Sequence, residues 1–148
     1  KNWKKFYLYL TKKNYYPIVL YDFETIAIKE DKKNKFNNFI YANIDVRLRL
    51  ALYEKAYLNL GVSSGPMSLL TYSKNSNFII YKHADKNSLS SSSFKANKAS
   101  NGLDPNINEQ YPFSGKTQRI VWDTNDNIEI LKKHFLEIEK ILNKGKWL

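Results

Sequence analysis

The sequence predicts an α/β fold in which helices lie on both faces of a mostly parallel sheet. Two observations predict it: short apolar runs of strand length recur along the chain, and segments with helical periodicity separate them. The order of helix, short loop and buried strand at the start is the crossover unit of a parallel sheet. With 148 residues, the chain is long enough for one domain with a core and too short for two ordinary ones.

Composition limits the classes of function that the chain can have. The hydrophobic content of 43% excludes wholesale disorder, and no run approaches the roughly 18 apolar residues of a membrane span. With no cysteine and only two histidines, a metal site would depend on carboxylates, and we expect no metal cofactor. The absence of cysteine is typical of a cytoplasmic protein. The net charge of +10 indicates an anionic partner, which can be a phosphate-bearing ligand, anionic lipid or nucleic acid.

The first predicted unit of helix and strand ends in two carboxylates. Residues at helical spacing predict a helix from about Asn2 to Lys13, and the apolar run at 18–21 predicts the strand. Asp22 and Glu24 follow that strand, at the edge of a parallel sheet where ligands bind. They are therefore candidate substrate contacts, and solvated loop acids or a helix cap are the alternative.

The next segment predicts a charged loop, a second strand and a helix. Residues 29–38 are mostly charged or amide side chains, which favours an exposed loop. Residues 39–42 form a short apolar run that is assigned to a strand, and Asp45 is placed to cap the following helix. That helix shows an apolar face of Val46, Leu50, Tyr53 and Tyr57, with the charged residues Arg47, Arg49, Glu54 and Lys55 mostly elsewhere.

The turn after the apolar run 58–62 is the strongest candidate for a binding site, because a buried strand there gives way to a helix. Ser63, Ser64 and Gly65 are small enough to let a ligand approach the main chain. Pro66 suits the first turn of a helix. Free N–H groups, the helix dipole and two hydroxyls together favour a phosphate at this position. A strand-to-helix turn that binds no ligand is the alternative interpretation.

The second half of the chain continues the alternation of strands and helices. The run 78–81 predicts a strand with Lys82 and His83 at its carboxyl end, and a loop role is commoner for such a histidine than catalysis. Residues 85–115 are rich in Ser, Asn, Lys and Gly and predict a long flexible loop, which either binds a ligand or is partly disordered. The last strand is predicted at 119–122.

The C-terminal helix is the clearest local prediction. Residues 126–129 resemble a capping box at its start, and Gly145 is a suitable end. Its apolar stripe consists of Ile128, Leu131, Phe135, Ile138 and Leu142.

Three features resemble the C-terminal, donor-binding half of a GT-B glycosyltransferase, in the heptosyltransferase-like group that builds lipopolysaccharide and other surface glycans. Lys-Asn-Trp at 1–3, followed by an apolar helix face and by Pro-Ile-Val-Leu at 17–20, is similar to the lysine-tryptophan helix and strand of that domain. Residues 52–62 are similar to its helix and strand before a small-residue turn. Ser-Ser-Gly-Pro-Met at 63–67 matches that turn, which commonly holds an acidic or polar residue, then Ser or Thr, Gly, Pro and Met.

The resemblance implies a Rossmann-like three-layer α/β/α domain, one half of a GT-B fold, that binds a nucleotide-sugar donor without a metal. Main-chain N–H groups and hydroxyls of the turn would hold the diphosphate, and Lys82 would add a cation. The family often has an acid in place of Ser63 and a histidine in place of Ser68, so a sugar other than heptose is expected. The expected donor-binding residues are Ser63, Ser64, Gly65, Pro66, Met67, Lys82, Asp22 and Glu24.

The resemblance also implies that the chain is one part of a larger, two-domain glycosyltransferase. The first strand of the domain would precede residue 1, as would an N-terminal domain that binds the acceptor and supplies the catalytic base. No catalytic residue is therefore assigned, and the isolated domain is expected to bind a nucleotide weakly and to transfer nothing. The intact enzyme is expected in the cytoplasm, where its positive surface would dock on anionic lipid at the inner face of the cytoplasmic membrane.

Two other functions are alternatives. A basic nucleic-acid-binding module fits the charge and the aromatic content of 15%, but the sequence has no zinc-finger spacing, aromatic sheet motif or compact arginine cluster, so nucleic acid is a less favoured partner. A nucleotide-sugar epimerase of similar architecture also uses a serine-glycine phosphate turn.

Further candidate contacts to the nucleotide-sugar donor of the glycosyltransferase are Lys116 or Arg119 as cations and Tyr41 or Tyr81 beside the base.

Overall fold

In the part of the chain that the structure describes, three short parallel strands form a sheet, in the order β1-β2-β3. They are β1 (Asn59–Val62), β2 (Phe78–Tyr81) and β3 (Gln118–Ile120). Val62 pairs with Tyr81 and Ile80 with Ile120, so the carboxyl ends of neighbouring strands meet at one edge of the sheet. The structure is a computed structural model, and it describes residues 1–21, 36–84, 94–122 and 125–144.

Helices precede, separate and follow the strands. Within the described ranges these are α1 (Asn2–Lys12), α2 (Tyr41–Ile44), α3 (Val46–Lys55), α4 (Gly65–Thr71), α5 (Phe94–Asn101) and α6 (Ile128–Lys144), with a short 3-10 helix at Pro105–Ile107. The helix predicted after Asp45 is confirmed as α3, and the Asp45 carboxylate accepts hydrogen bonds from the first N–H groups of that helix.

The side chains of β2 point alternately into two apolar clusters. Phe78 and Ile80 belong to one cluster, and Ile79 and Tyr81 to the other. Because alternate strand residues point to opposite faces, the clusters lie on opposite faces of the sheet. The first cluster contains Tyr53, Met67 and Leu70 from α3 and α4, and the second contains Phe6, Leu10, Leu131, Phe135 and Ile138 from α1 and α6. Helices therefore cover both faces of β2, and the predicted α/β class with parallel strands is confirmed.

The first helix, α1, crosses the sheet from its carboxyl edge to its amino edge. At the carboxyl edge, Trp3 packs edge-to-face on Tyr81 with ring centroids 5.6 Å apart, and its indole N–H donates to Asp126 at 2.7 Å. At the amino edge, the ring of Tyr15 contacts that of Tyr57, which lies just before β1. The helix thus runs opposite to the strands, as a crossover helix does.

Two predicted elements near the start of the chain differ from the structure. Residues 18–21 are not a regular strand, because among the described residues only Val19 pairs there, in an isolated parallel bridge with Asn38. The prediction of a strand at 39–42 is wrong, because residues 39 and 40 begin a hydrogen-bonded turn that continues directly into α2. A short apolar run in a sequence is compatible with either a strand or a helix, and local hydrogen bonds decide between the two here.

The prediction of a loop without regular structure at 85–115 is also wrong in its described part. This part contains α5 and the 3-10 helix. Asn and Ser favour caps and turns, which hides a short polar helix from a search for apolar periodicity. The helix after the central turn, α4, ends at Thr71.

The remaining strands and the C-terminal helix are confirmed, with bounds that differ by one or two residues. The residue that caps α6 is Asn127, whose side-chain oxygen accepts the N–H groups of Glu129 and Ile130 at 3.1 and 3.0 Å. Asp126 instead bonds Trp3, and Gly145 lies outside the described residues.

Candidate functional site

The turn after β1 lies at the carboxyl edge of the sheet. The N–H of Ser63 donates to the carbonyl of Tyr81 at 3.0 Å and so continues the ladder beyond β1. Ser64 is extended, with φ −160° and ψ 164°, and α4 begins at the next residue, Gly65. Pro66 lies in the first turn of α4, where its missing N–H removes no helical hydrogen bond. The predicted sequence of strand, small-residue turn and helix is therefore confirmed.

The main chain of this turn is accessible. Gly65 is exposed, and a Cβ atom added to it would meet nothing described within 4 Å. The side chain of Ser64 does not cap α4. In the part of the chain that the structure describes, the hydroxyls of Ser63 and Ser64 have no hydrogen-bond partner. The turn can therefore offer first-turn N–H groups and two hydroxyls to an anion.

Met67 contributes to this turn through its main chain only. Its side chain is buried in the cluster beneath α4, at 8% exposure. A Cβ atom added to Gly61 would lie 2.6 Å from the Met67 sulfur, so the glycine lets α4 pack closely against β1. This contact fixes the start of α4 beside the end of the strand.

Lys82 lies at the same edge of the sheet as the turn. It directly follows Tyr81, which pairs with the last residue of β1. The Lys82 side chain is exposed, and its main chain has a φ of 51°, in the left-handed region that few residues with a side chain adopt. The exposed side chain of Lys82 therefore belongs to the same edge of the sheet as the turn at 63–65.

His83 is a loop residue, as predicted, but its ring packs in an aromatic cluster. Its centroid lies 4.8 Å from that of Trp122 and 6.0 Å from that of Tyr111, both in edge-to-face geometry. The Nδ1 atom is buried and has no hydrogen-bond partner within the described ranges. Burial lowers the pKa of His83 to about 4, so the ring is neutral at pH 7.

The structure does not bring the two further cations suggested by the sequence together with the turn. Lys116 precedes β3 and therefore lies at the amino edge of the sheet, opposite the turn. The guanidinium of Arg119 bonds the carboxylate of Glu137 and lies 3.2 Å from Nδ1 of His134, so it is held against α6.

The aromatic contacts suggested by the sequence have different outcomes. Tyr81 is fully buried, and its hydroxyl donates to the carbonyl of Leu131 at 2.9 Å. Burial raises the pKa of Tyr81 well above its ordinary value. This tyrosine is therefore a core residue and does not flank a base. Tyr41 is 66% exposed on α2 and contacts Phe39 edge-to-face.

Arg49 is a buried cation that the sequence did not reveal. It is 6% exposed, and it donates to the carbonyl of Ala42 at 2.8 Å and to that of Tyr21 at 3.0 Å. In the sequence, the helical spacing placed Arg49 away from the predicted apolar face of α3. No residue near it in the sequence indicates that it bonds these two carbonyls. Arg49 lines a cleft to which Ser64 and Pro66 also contribute.

This cleft, called the β1 cleft below, has a volume of about 970 Å³. Its lining includes residues 15–20 and residues 58–62. Its volume is at the upper end of the range for sites of small ligands, roughly 300–1,000 Å³. The turn after β1 and Arg49 therefore share one large concave surface.

Two predicted site residues, Asp22 and Glu24, lie outside the described residues. Within residues 1–21, 36–84, 94–122 and 125–144, no three Asp, Glu or His side chains are grouped to hold a metal ion. No helix in those ranges is both long enough and apolar enough to cross a bilayer. Comparisons with models of protein families, with curated proteins and with solved structures found no match for the chain.

Proposed function

We propose that the chain is the nucleotide-sugar-binding domain of a glycosyltransferase, a Rossmann-like three-layer half of a GT-B fold. One observation carries the proposal: the turn at 63–65, where α4 begins, is exposed at Gly65 and lies at the carboxyl edge of a parallel sheet. Ligands of open α/β sheets bind outside the carboxyl ends of the strands. The exposed cation of Lys82 at the same edge gives the position the charge that a diphosphate requires.

The chemistry expected at the turn is stabilisation of a leaving group. When the bond between the sugar and the diphosphate breaks, its electron pair stays on a phosphate oxygen, and negative charge develops there. The N–H groups of Gly65 and Met67, with the hydroxyls of Ser63 and Ser64, are donors for those oxygens. A ligand that extends into the β1 cleft would also meet Arg49, whose two bonds to carbonyls hold it in place.

In the intact enzyme, an N-terminal domain would bind the acceptor and supply the catalytic base. The described chain is therefore expected to bind a donor nucleotide and to transfer no sugar. The net charge of +10 also supports a peripheral contact between the intact enzyme and anionic lipid on the cytoplasmic side of a membrane.

The first test is titration of the chain with UDP-, GDP-, ADP- and CDP-sugars, followed by calorimetry. We expect saturable binding of at least one of them, and no saturable binding of any would overturn the proposal. Salt-sensitive binding of generic DNA or RNA together with indifference to all four would favour a nucleic-acid-binding module. Formation of an epimerised sugar by the intact protein would favour the epimerase.

The variant Gly65→Ala tests whether the ligand approaches the turn. Since an added Cβ meets nothing in the protein, the fold should be unchanged, while the methyl group obstructs a phosphate at the main chain. We expect binding of the donor to weaken about tenfold, or about 1.4 kcal/mol. Gly115→Ala is the matched control, because its Cβ also finds ordinary room, at 3.9 Å from Gln118, but near the start of β3 at the opposite edge. Equal affinities of the two variants would place the ligand elsewhere.

A further inference from the structure

The helices α1 and α6 lie side by side on one face of the sheet and run in the same direction. At their starts, the indole N–H of Trp3 donates to Asp126 at 2.7 Å. Near their ends, the ammonium group of Lys13 donates to the carboxylate of Glu139 at 2.9 Å. The buried side chains of both helices belong to one apolar cluster. The two helices therefore form one layer, and the sides opposite their buried residues form one outer surface.

The outer side of α1 is basic. This helix contains three lysines and no acidic residue. Successive residues of an α-helix are rotated by about 100°, which places Leu8 opposite the buried Phe6 and Leu10. Leu8 is 49% exposed. Lys5 and Lys12 are also exposed and lie within about 60° of Leu8 around the helix axis. Two cations therefore flank an exposed leucine on this side of α1.

The outer side of α6 adds two more cations. Lys133 and Lys140 are exposed and lie about two turns apart. They are on the side of α6 opposite its buried residues, which are Leu131, Phe135 and Ile138. The surface called the lysine face below consists of Lys5, Leu8, Lys12, Lys133 and Lys140.

The cations of the lysine face are not neutralised by the acidic residues of α6. Each of these acidic residues is paired with a cation outside the lysine face: Glu129 with Lys132, Glu137 with Arg119 and Glu139 with Lys13. Within the described ranges, none of the four lysines of the lysine face forms an ion pair. The lysine face therefore keeps its full positive charge.

The helix layer on the opposite face of the sheet carries no comparable charge. No residue of α4 is charged. On α3, Arg47 pairs with Asp45 at 3.0 Å, and Arg49 is buried. The other two charged residues of α3, Glu54 and Lys55, have opposite signs. The unpaired positive charge of the two helix layers is therefore concentrated on one side, which suits a protein that faces an extended anionic surface.

The residue types of the lysine face fit anionic lipid better than nucleic acid. A lysine is a point charge on a flexible stem, and lipid headgroups present many equivalent anions for which no fixed geometry is needed. An apolar side chain between such cations can enter the boundary between headgroups and acyl chains, and Leu8 is in that position. Specific contacts to nucleic acid typically use arginine or stacked aromatic rings, and the lysine face contains neither.

We propose that the lysine face docks the chain on a membrane that contains anionic lipid, with Leu8 inserted among the headgroups. This inference assigns the peripheral contact of the proposed function to one surface, and it does not rest on nucleotide binding. The lysine face lies on the far side of one helix layer, while the turn at 63–65 lies at the edge of the sheet. A docked chain would therefore leave the turn open to a ligand.

The test is co-sedimentation of the full chain with lipid vesicles in the absence of any nucleotide. One set consists of phosphatidylcholine, and the other of equal parts of phosphatidylcholine and phosphatidylglycerol. We expect at least about tenfold tighter binding to the anionic vesicles, and weaker binding as salt is added. Equal binding to both sets, or binding to neither, would overturn the proposal. Because no nucleotide is present, this result is separate from that of the nucleotide-sugar titration.

A variant without the four charges tests whether the lysine face makes the contact. It carries Lys5→Gln, Lys12→Gln, Lys133→Gln and Lys140→Gln. One lysine near an anionic surface contributes about fivefold in affinity, so we expect binding to the anionic vesicles to weaken at least about 100-fold. The matched control loses the same charge at exposed lysines outside α1 and α6, through Lys55→Gln, Lys74→Gln, Lys95→Gln and Lys116→Gln.

The control variant should lose less than about tenfold in affinity, because its lysines lie outside the docking surface. Equal losses by the two variants would show that the total charge, and not the lysine face, determines binding, and would overturn the proposal. All eight substitutions are at exposed positions. Urea unfolding of both variants checks that each is folded.

The variant Leu8→Gln separates a membrane from a nucleic acid. It keeps every charge and removes the apolar side chain, so we expect about fivefold weaker binding to the anionic vesicles. Unchanged binding would contradict the insertion of Leu8. Tighter binding of the full chain to duplex DNA than to the anionic vesicles, lost in the variant without the four charges, would assign the lysine face to nucleic acid and overturn the proposal.

Discussion

At the scale of single residues, His83 gives the fold a dependence on pH. Burial among Trp122 and Tyr111 lowers its pKa from 6.5 to about 4. Between these values the unfolded chain binds more protons at this residue than the folded chain does. His83 therefore leaves the free energy of unfolding unchanged above pH 6.5. Below pH 6.5 it lowers the free energy of unfolding, increasingly as the pH falls towards 4.

We expect His83 to reduce the free energy of unfolding by on the order of 2 kcal/mol between pH 7 and pH 4. His83→Phe keeps the aromatic contacts and removes the titration, and urea unfolding at several pH values measures both proteins. Glu137 and Glu139 also make the fold less stable in acid, because their partners lower their pKa values. His83→Phe retains both carboxylates, so the difference between the two pH profiles gives the contribution of His83. Parallel pH profiles of the two proteins would contradict the prediction.

The same residues show what a sequence can and cannot reveal about single positions. The turn at 63–65 was found because its small residues follow an apolar run, and both signals are local. The burial of Arg49 depends on the carbonyl of Tyr21, and that of His83 on Trp122, both distant in the chain. Contacts of this kind arise only from the packed fold.

At the scale of elements, the start of α6 depends on one side chain. Asn127 accepts hydrogen bonds from the N–H groups of Glu129 and Ile130, which have no carbonyl partner within the helix. We expect Asn127→Ala to lower the free energy of unfolding by about 1 kcal/mol. Asn127→Asp keeps the acceptor and should stay within about 0.5 kcal/mol of the wild type. Denaturant unfolding checks both values, and equal losses would show that another group caps the helix.

The elements that were predicted correctly are those with a long or strongly apolar signal. The stripe of α6 spans several turns, and the run 78–81 is apolar throughout. The four residues at 39–42 gave too short a pattern to distinguish a strand from a turn and helix. The polar helix α5 has no apolar stripe that a sequence search would detect.

At the scale of the whole molecule, the sequence predicted the class of fold but five strands where three regular strands are described. Residues 18–21 have the composition of a strand, and an isolated bridge is all the pairing described there. A strand needs a neighbour to form a ladder, and no local pattern shows whether a neighbour is in place. Residues 18–20 of this segment line the β1 cleft together with the residues of β1.

The alternation of β2 between two clusters leads to a prediction about cooperativity. Leu70 lies in the cluster of α3 and α4, and Ile138 in that of α1 and α6, with β2 contributing to both. Since neither cluster can lose β2 alone, we expect one unfolding transition by every probe. Leu70→Ala should lower the free energy of unfolding by about 3 kcal/mol and Ile138→Val by about 1 kcal/mol. The double variant should equal their sum within about 0.5 kcal/mol, because the side chains lie on opposite faces. Amide signals of Phe6 and Leu69, followed in urea, report on the two sides, and different midpoints would show that the halves of the core unfold independently.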